Sequence, residues 1–302
     1  MSRQFVTTDV FTDQLFGGNP LAVFPDGRGL STEVMQAIAR EFNLSETVFV
    51  VPPSDPKHTR ALRIFTPVHE LPFAGHPTIG AAFVLSATGE ITLCGGRTEI
   101  TLEEGVGPIR VTIDADGGAP GLIELSAPRP PEFGPPPPAR TALAGVLGLS
   151  AEELTGDWPP RAASCGVPFL FIPVADRRAL ARAALQRPAW EVTLASFWAP
   201  SVYLITRDVE QPGSSFRARM FAPAHGVAED PATGSAAAAL AGLLADLQPE
   251  VTGSWRWIVE QGFEMGRPSL LHLAAEKSAG ITSAVHVGGR AVLVSRGEIH
   301  LP

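Results

Sequence analysis

Residues 63–85, RIFTPVHELPFAGHPTIGAAFVL, decide how this chain is read. The stretch reads as a strand, a turn and a helix that opens at Gly75-His76-Pro77. Proline suits the first helical turn, where its missing N–H has no partner to lose. Ala81 to Leu85 then form an apolar helical run, and Gly89 stands where a helix stops. A helix that is apolar all round is a buried one. Its mouth, Gly-His-Pro-Thr, turns backbone N–H groups toward an imidazole and a hydroxyl, a setting that can hold a substrate carboxylate.

The pattern returns 156 residues on. Arg219-Met220-Phe221-Ala222-Pro223 repeats the form of Arg63-Ile64-Phe65-Thr66-Pro67, and Asp230-Pro231-Ala232-Thr233-Gly234-Ser235 leads into a second apolar helix, AAAALAGLLADL. Pro77-x-x-Gly80 and Pro231-x-x-Gly234 read as parallel helix entries. A weaker echo pairs Gly18-Asn19-Pro20 before LAVF with Gly166-Val167-Pro168 before FLFI. Two matches in one order predict an internal duplication.

Around these landmarks, short strands dominate. Phe5–Phe11, Leu21–Phe24, Thr47–Val51 and Ala61–Phe65 read as strands, and Ser31 caps a helix carrying Val34, Ile38 and Phe42 on one face. Glycine-punctuated alternation from Glu90 to Ile113 predicts antiparallel strands. Further strands are expected at Phe169–Pro173, Val202–Thr206, Arg217–Phe221, Trp255–Gln261 and Leu270–Ala275, with a helix over Arg177–Gln186. One buried helix per half among strands favours α+β over a wound parallel sheet. APRPPEFGPPPP, residues 127–138, holds seven prolines in twelve residues. It reads as a stiff linker between an N-terminal lobe, residues 1–126, and a C-terminal lobe, residues 139–281; residues 282–302 can return to the first lobe.

Composition narrows the function. The 302 residues carry a net charge of −8, which speaks against a general nucleic-acid binder. No apolar run reaches the ~20 residues of a membrane span, and no signal-peptide core opens the chain. Cys94 and Cys165 read as reduced thiols of a cytoplasmic protein. There is no G-x-S-x-G elbow, Walker loop, G-x-G-x-x-G turn or H-x-x-x-H spacing, so neither a dinucleotide site nor a structural zinc is expected.

Three patches can carry chemistry: Ser45-Glu46, Gly75-His76, and Asp230 with Gly234-Ser235. Glu46 precedes an apolar strand, where desolvation raises a carboxyl pKa toward a useful range. Should the two helix mouths meet in one cleft, these groups form a kit for moving a proton on a small anionic metabolite, the mouths stabilising an enolate-like charge. Each residue also has an ordinary reading: an exposed glutamate, a core histidine, an aspartate capping a helix, a packing serine.

GNPLAVF, NLSETVFV, RIFTPVHELPFAGHPTIGAA, MFAPAHGVAEDPATGSAAAAL and EQGFEMGRPS, running in order from Phe5 to Ser269, resemble the PhzF family of phenazine-biosynthesis isomerases. The resemblance implies a diaminopimelate epimerase-like fold of two similar lobes, each a curved, mostly antiparallel, barrel-like sheet around a central helix. It also implies a homodimer and no cofactor. By the same resemblance Glu46 is the general acid/base that moves a proton between carbons. His76, Asp230 and Ser235 assist it, and Ser45, Gly75 and Gly234 bind substrate. Epimerases of this fold use two cysteines at the helix mouths; Gly75-His76 and Gly234-Ser235 stand there instead, so a two-thiol mechanism is not expected. His225 departs from a small, Gly-rich loop, and either tunes substrate choice or faces solvent. The expected activity is a cofactor-independent isomerase of a small carboxylate-bearing metabolite. The alternatives are a non-catalytic metabolite-binding or protein-interaction module and a thiol-independent epimerase or racemase.

Overall fold

The computed structural model describes residues 2–301. The chain divides into two compact units, Met1–Pro128 with Val287–Pro302, and Arg129–His286. The first unit holds β1 (Ser2–Val10), β2 (Asn19–Phe24), α1 (Thr32–Phe42), β3 (Glu46–Val51), β4 (Arg60–Phe65), β5 (Glu70–Leu71), α2 (Gly75–Ala87), β6 (Arg97–Glu104), β7 (Gly107–Asp116) and β8 (Ala119–Ser126). The second holds β9 (Glu132–Phe133), α3 (Arg140–Leu147), β10 (Arg161–Ser164), β11 (Pro168–Pro173), α4 (Arg177–Arg182), α5 (Arg187–Thr193) and β12 (Ser201–Thr206). It continues through β13 (Phe216–Ala222), β14 (Val227–Asp230), α6 (Gly234–Asp246), β15 (Gly253–Gln261) and β16 (Ser269–Ser278). β17 (Ile281–Gly289) begins in the second unit and ends in the first, which β18 (Ala291–His300) completes. This is an α+β fold; its strands form a mixed sheet and do not close into a barrel.

The two units repeat one topology. In the first, β1 and β2 are antiparallel, β2 and β3 parallel, β3 and β4 antiparallel, β4 and β6 parallel, and β6 and β7 antiparallel; β5 folds back on β4. In the second, β10, β11, β12, β13, β15 and β16 follow the same succession of senses, with β14 folded back on β13. Parallel pairs within an otherwise antiparallel sheet make the match specific, because each needs a crossover.

The registers correct one alignment drawn from the sequence. Ile64 pairs with Leu71, and Met220 with Asp230. α2 starts at Gly75 and α6 at Gly234, and each runs 13 residues. The matching entries are therefore Pro72-x-x-Gly75 and Pro231-x-x-Gly234, not Pro77-x-x-Gly80. Pro77 lies inside the first turn of α2 and has no counterpart.

Each unit winds its sheet on one helix. α2 packs against β1, β2, β3, β7, β8 and β18, and all its residues but the last are buried. α6 packs against β10, β11, β15 and β16. Gly80 lets α2 close on the sheet: a Cβ there would lie 2.5 Å from Leu21 Cδ2 and 2.8 Å from Val10 Cγ2. Outside, α1 covers Phe24, Phe49 and Phe65 with Met35 and Ile38, and α3, α4 and α5 cover Leu170, Ile172, Val202 and Leu204.

Three expectations need correction. The helix expected over Arg177–Gln186 stops at Arg182, because Ala183 leaves the helical conformation, and the next helix starts only at Arg187 with Pro188 in its first turn. Residues 90–96 are not strand. The proline-rich stretch is not bare linker: Glu132 and Phe133 pair with Ser164 and Ala163, and a Cβ on Gly242 of α6 would meet Pro131 at 2.5 Å.

The R-x-F-x-P repeat has a structural cause. Arg63 lies over the Phe65 ring at 5.1 Å and donates from Nε and Nη2 to both oxygens of Glu70, at 2.8 and 2.7 Å. Arg219 lies over Phe221 at 4.9 Å and forks onto Glu229, at 2.8 Å for both bonds. Each fork locks the short hairpin that leads into the central helix.

Candidate active site

Both central helices begin without a capping side chain. The N-cap of α2 is Ala74, which has none to offer, and that of α6 is Thr233, which caps nothing. The first-turn N–H groups of each are thus left to whatever lies at the mouth.

At the first mouth the sequence-predicted pair meets. Glu46 is the first residue of β3, set by its register opposite Leu21 on β2. His76 is the second residue of α2. Glu46 Oε2 lies 3.2 Å from His76 Nε2, with the carboxylate side chain 17 % and the imidazole 6 % exposed. Burial holds the imidazole down to about 3, so it is neutral at physiological pH. A neutral ring can donate a hydrogen bond to a carboxylate, or accept one from a carboxylic acid, without a buried ion pair being required. Ser45 and Gly75 flank the pair in sequence, Gly75 buried and Ser45 half-buried.

Besides the Thr78 hydroxyl, which the sequence places here, this mouth holds a residue that escaped the sequence reading. Glu104, at the end of β6, is 9 % exposed, and its Oε1 lies 2.6 Å from Thr78 Oγ1 on α2. Burial pushes this carboxyl up to about 8, against the pull of the Thr78 hydroxyl and the Ala74 amide.

At the second mouth Asp230 ends β14 and is buried. It is not the N-cap of α6. It accepts a 2.5 Å hydrogen bond from Thr233 Oγ1, and Thr233 is the cap residue. Gln261, fully buried at the end of β15, donates to the Asp230 carbonyl at 2.8 Å and to Thr233 Oγ1 at 3.0 Å. Its own oxygen accepts from Thr233 N at 3.2 Å and from the Tyr203 hydroxyl at 3.0 Å. Burial, and the charge on Asp230, push the Tyr203 hydroxyl well up. Gly234 is buried and Ser235 half-buried at the helix start. His225 ends a one-turn helix, Pro223–His225, whose Pro223 is buried, and is itself exposed.

The duplication distributes these groups unevenly. Gly75-His76 and Gly234-Ser235 occupy equivalent places. Thr47 pairs with Phe65 and Val202 with Phe221, so the counterpart of Glu46 is Ser201. The counterpart of Asp230 is Leu71. Glu46 and Asp230 therefore stand on strands that are not equivalent in the two units, and neither mouth holds a cysteine: Cys94 is exposed, and Cys165 is buried beside Ala238. Among the described residues no cluster of His, Cys, Asp or Glu could hold a metal, and no helix is long and apolar enough to cross a membrane.

Comparison with known proteins agrees with this arrangement. The model of the PhzC-PhzF family, phenazine biosynthesis-like protein, matches residues 8–297. The chain is 42 % identical over 307 residues to an uncharacterized isomerase of Mesorhizobium japonicum, with 99 % of each chain covered. It is 35 % identical over 301 residues to the trans-2,3-dihydro-3-hydroxyanthranilate isomerase of Pseudomonas aeruginosa, covering 99 % of this chain and 100 % of the other. The crystal structure of a PhzF-family phenazine biosynthesis protein from Bacillus anthracis shares the fold over 100 % of both chains, with a TM-score of 0.88 at 24 % identity. With a duplicated fold, a carboxylate and an imidazole at one helix mouth, and a match along nearly its whole length, the chain belongs to the PhzC-PhzF family and is a PhzF-like isomerase.

Proposed function

We propose that the chain moves a proton between carbons of a small carboxylate-bearing metabolite, without a cofactor, and that Glu46 is the general acid/base. The contact that carries this reading is Glu46 Oε2 to His76 Nε2, 3.2 Å, at the uncapped mouth of a buried helix. A carbon acid gives up its proton only if a base touches it and the resulting charge is stabilised. Glu46 supplies the base. The first-turn N–H groups of α2 and the neutral imidazole supply donors for the developing negative charge. In the second unit Asp230 is held rigid by Thr233 and Gln261, and we assign it, with Ser235, a substrate-positioning role. The neutral state of His76 supports this division of labour: an imidazolium would tie up Glu46 as an ion pair and blunt it as a base.

The relative from Pseudomonas aeruginosa supplies the first substrate to try, trans-2,3-dihydro-3-hydroxyanthranilate. Incubated with it in deuterium oxide, the protein is expected to place deuterium on a substrate carbon, read by mass spectrometry. Glu46→Gln preserves the shape of the side chain and removes the base; labelling should fall at least ~100-fold. A Glu46→Gln protein that labels at the wild-type rate would remove Glu46 from the mechanism.

A further inference from the structure

Thr78 Oγ1 has one hydrogen and two close acceptors. It lies 2.6 Å from Glu104 Oε1 and 2.7 Å from the Ala74 carbonyl oxygen. An ionised Glu104 would only accept, and one O–H cannot serve two acceptors at these distances. The arrangement closes if Glu104 donates to Thr78 and Thr78 donates to Ala74.

The second unit contains the same chain in another chemistry. Ala61 pairs with Glu103 on the parallel strand β6, and Arg217 with Glu260 on β15. With Arg63 matched to Arg219, Glu103-Glu104-Gly105 corresponds to Glu260-Gln261-Gly262. The match extends to contacts. Glu103 accepts from the Ser54 and Asp55 amides, both at 2.8 Å, and Glu260 from those of Glu210 and Gln211, at 3.0 and 2.5 Å. A Cβ on Gly105 would strike Pro72, and one on Gly262 would strike Pro231. At the middle position Gln261 donates to the Thr233 hydroxyl, and that hydroxyl donates to Asp230. A neutral donor, a threonine hydroxyl and an acceptor at the helix mouth thus recur in both units, though from different helix positions: Thr233 precedes Gly234, whereas Thr78 follows Gly75 by three residues.

We propose that Glu104 is a positioning residue: like Gln261 in the other unit, it acts as a neutral donor that holds the first turn of α2 through Thr78 and Ala74, and so sets His76 against Glu46. Ala74 directly precedes Gly75-His76, so a shift of its carbonyl moves the imidazole. Burial supports the neutral form, raising the carboxyl to about 8. That the positioned imidazole matters for turnover rests on the function proposed above; the hydrogen-bond chain itself does not.

The test is carboxyl NMR of the full-length wild-type protein labelled with ¹³C-glutamate, the Glu104 signal being assigned by its loss in Glu104→Gln. One neutral-acid signal is expected to persist at pH 6.5; a protein with every glutamate ionised at that pH overturns the proposal. Because this arm needs no substrate, and a wild-type protein with every glutamate ionised is read without any assignment, it fails independently of the proposed reaction. The second arm compares variants by the His76 imidazole resonances and by turnover of trans-2,3-dihydro-3-hydroxyanthranilate. Glu104→Gln should keep both, as the amide does at Gln261. Glu104→Met and Thr78→Val should move the imidazole signals and lower kcat about tenfold with KM little changed, the effect of one lost buried hydrogen bond. Unmoved imidazole signals in folded Glu104→Met and Thr78→Val, or a Glu104→Gln that behaves like Glu104→Met, also overturn it.

Discussion

Burial pushes the two titratable groups flanking Thr78 in opposite directions, and stability should carry the imprint of both. His76 falls to about 3 from 6.5. Between those values the unfolded chain binds a proton that the folded chain does not, so stability drops as pH falls from 6.5 toward 3. Glu104 rises to about 8 from 4.5. Between those values the folded chain keeps a proton that the unfolded chain has lost, so this contribution is full below 4.5 and fades as pH climbs through 8. Urea-unfolding midpoints measured from pH 4 to 9 should therefore lose their alkaline decline in Glu104→Gln, and lose part of their acid decline in His76→Gln, each variant leaving the other limb in place. The two residues differ in how readable they were. His76 announces itself beside glycine at the head of an apolar run. Glu104 is one of two adjacent glutamates before a glycine, which reads as a solvated strand end. Only the alternation of faces along β6 separates them: Glu103 lies on the outer face with the loop, and Glu104 turns inward.

At the scale of elements, the arginine forks show why a repeated motif need not be equally stabilising in both copies. Arg63 and Glu70 are 27 % and 38 % exposed, whereas Arg219 and Glu229 are 10 % and 18 % exposed. Arg219 also donates from Nη1 to the carbonyls of Leu180 and Ala183, at 2.8 and 2.7 Å, tying the end of α4 to the hairpin that presents Asp230. Removing it leaves a half-buried carboxylate and the carbonyls of Leu180, Ala181 and Ala183 without this donor. Arg219→Met should destabilise the protein by about 3–5 kcal/mol, and Arg63→Met by about 1 kcal/mol or less, compared by chemical denaturation at one pH. Equal losses would mean that the difference in burial is not what matters. The arginine, phenylalanine and proline of the motif were legible as a repeat, and the following glutamate was not, because the loops between differ in length. The longer one forms the extra turn at Pro223–His225. That turn also misled the alignment of the helix entries, since counting from the motif leads to Pro77 rather than Pro72.

Across the whole molecule, composition and contact disagree about residues 129–138. Seven prolines in residues 127–138 suggest a segment that packs on nothing, since proline cannot join a central ladder. Yet the segment needs only one short edge pairing, and Glu132-Phe133 provides it between prolines. Phe133 takes the Arg161 guanidinium on its ring at 4.9 Å, and Gly134 donates its N–H to the Ala162 carbonyl at 2.9 Å. Gly134 is where the packing is tightest: a Cβ there would fall 2.3 Å from Trp198 Cε3 and 2.9 Å from Ala162 Cβ. Gly145, inside α3, has nothing within 4 Å of the same added atom. The two glycines therefore make a paired test of whether the proline-rich segment is part of the second unit. Gly134→Ala should destabilise by about 1–3 kcal/mol, because the indole must move. Gly145→Ala should stabilise by about 0.5–1 kcal/mol, because a helix interior gains a methyl group and loses backbone freedom only in the unfolded chain. Urea denaturation of both variants beside the wild type decides it. A free linker would make Gly134→Ala neutral, while the gain at Gly145 would still report that the measurement can resolve an effect of that size.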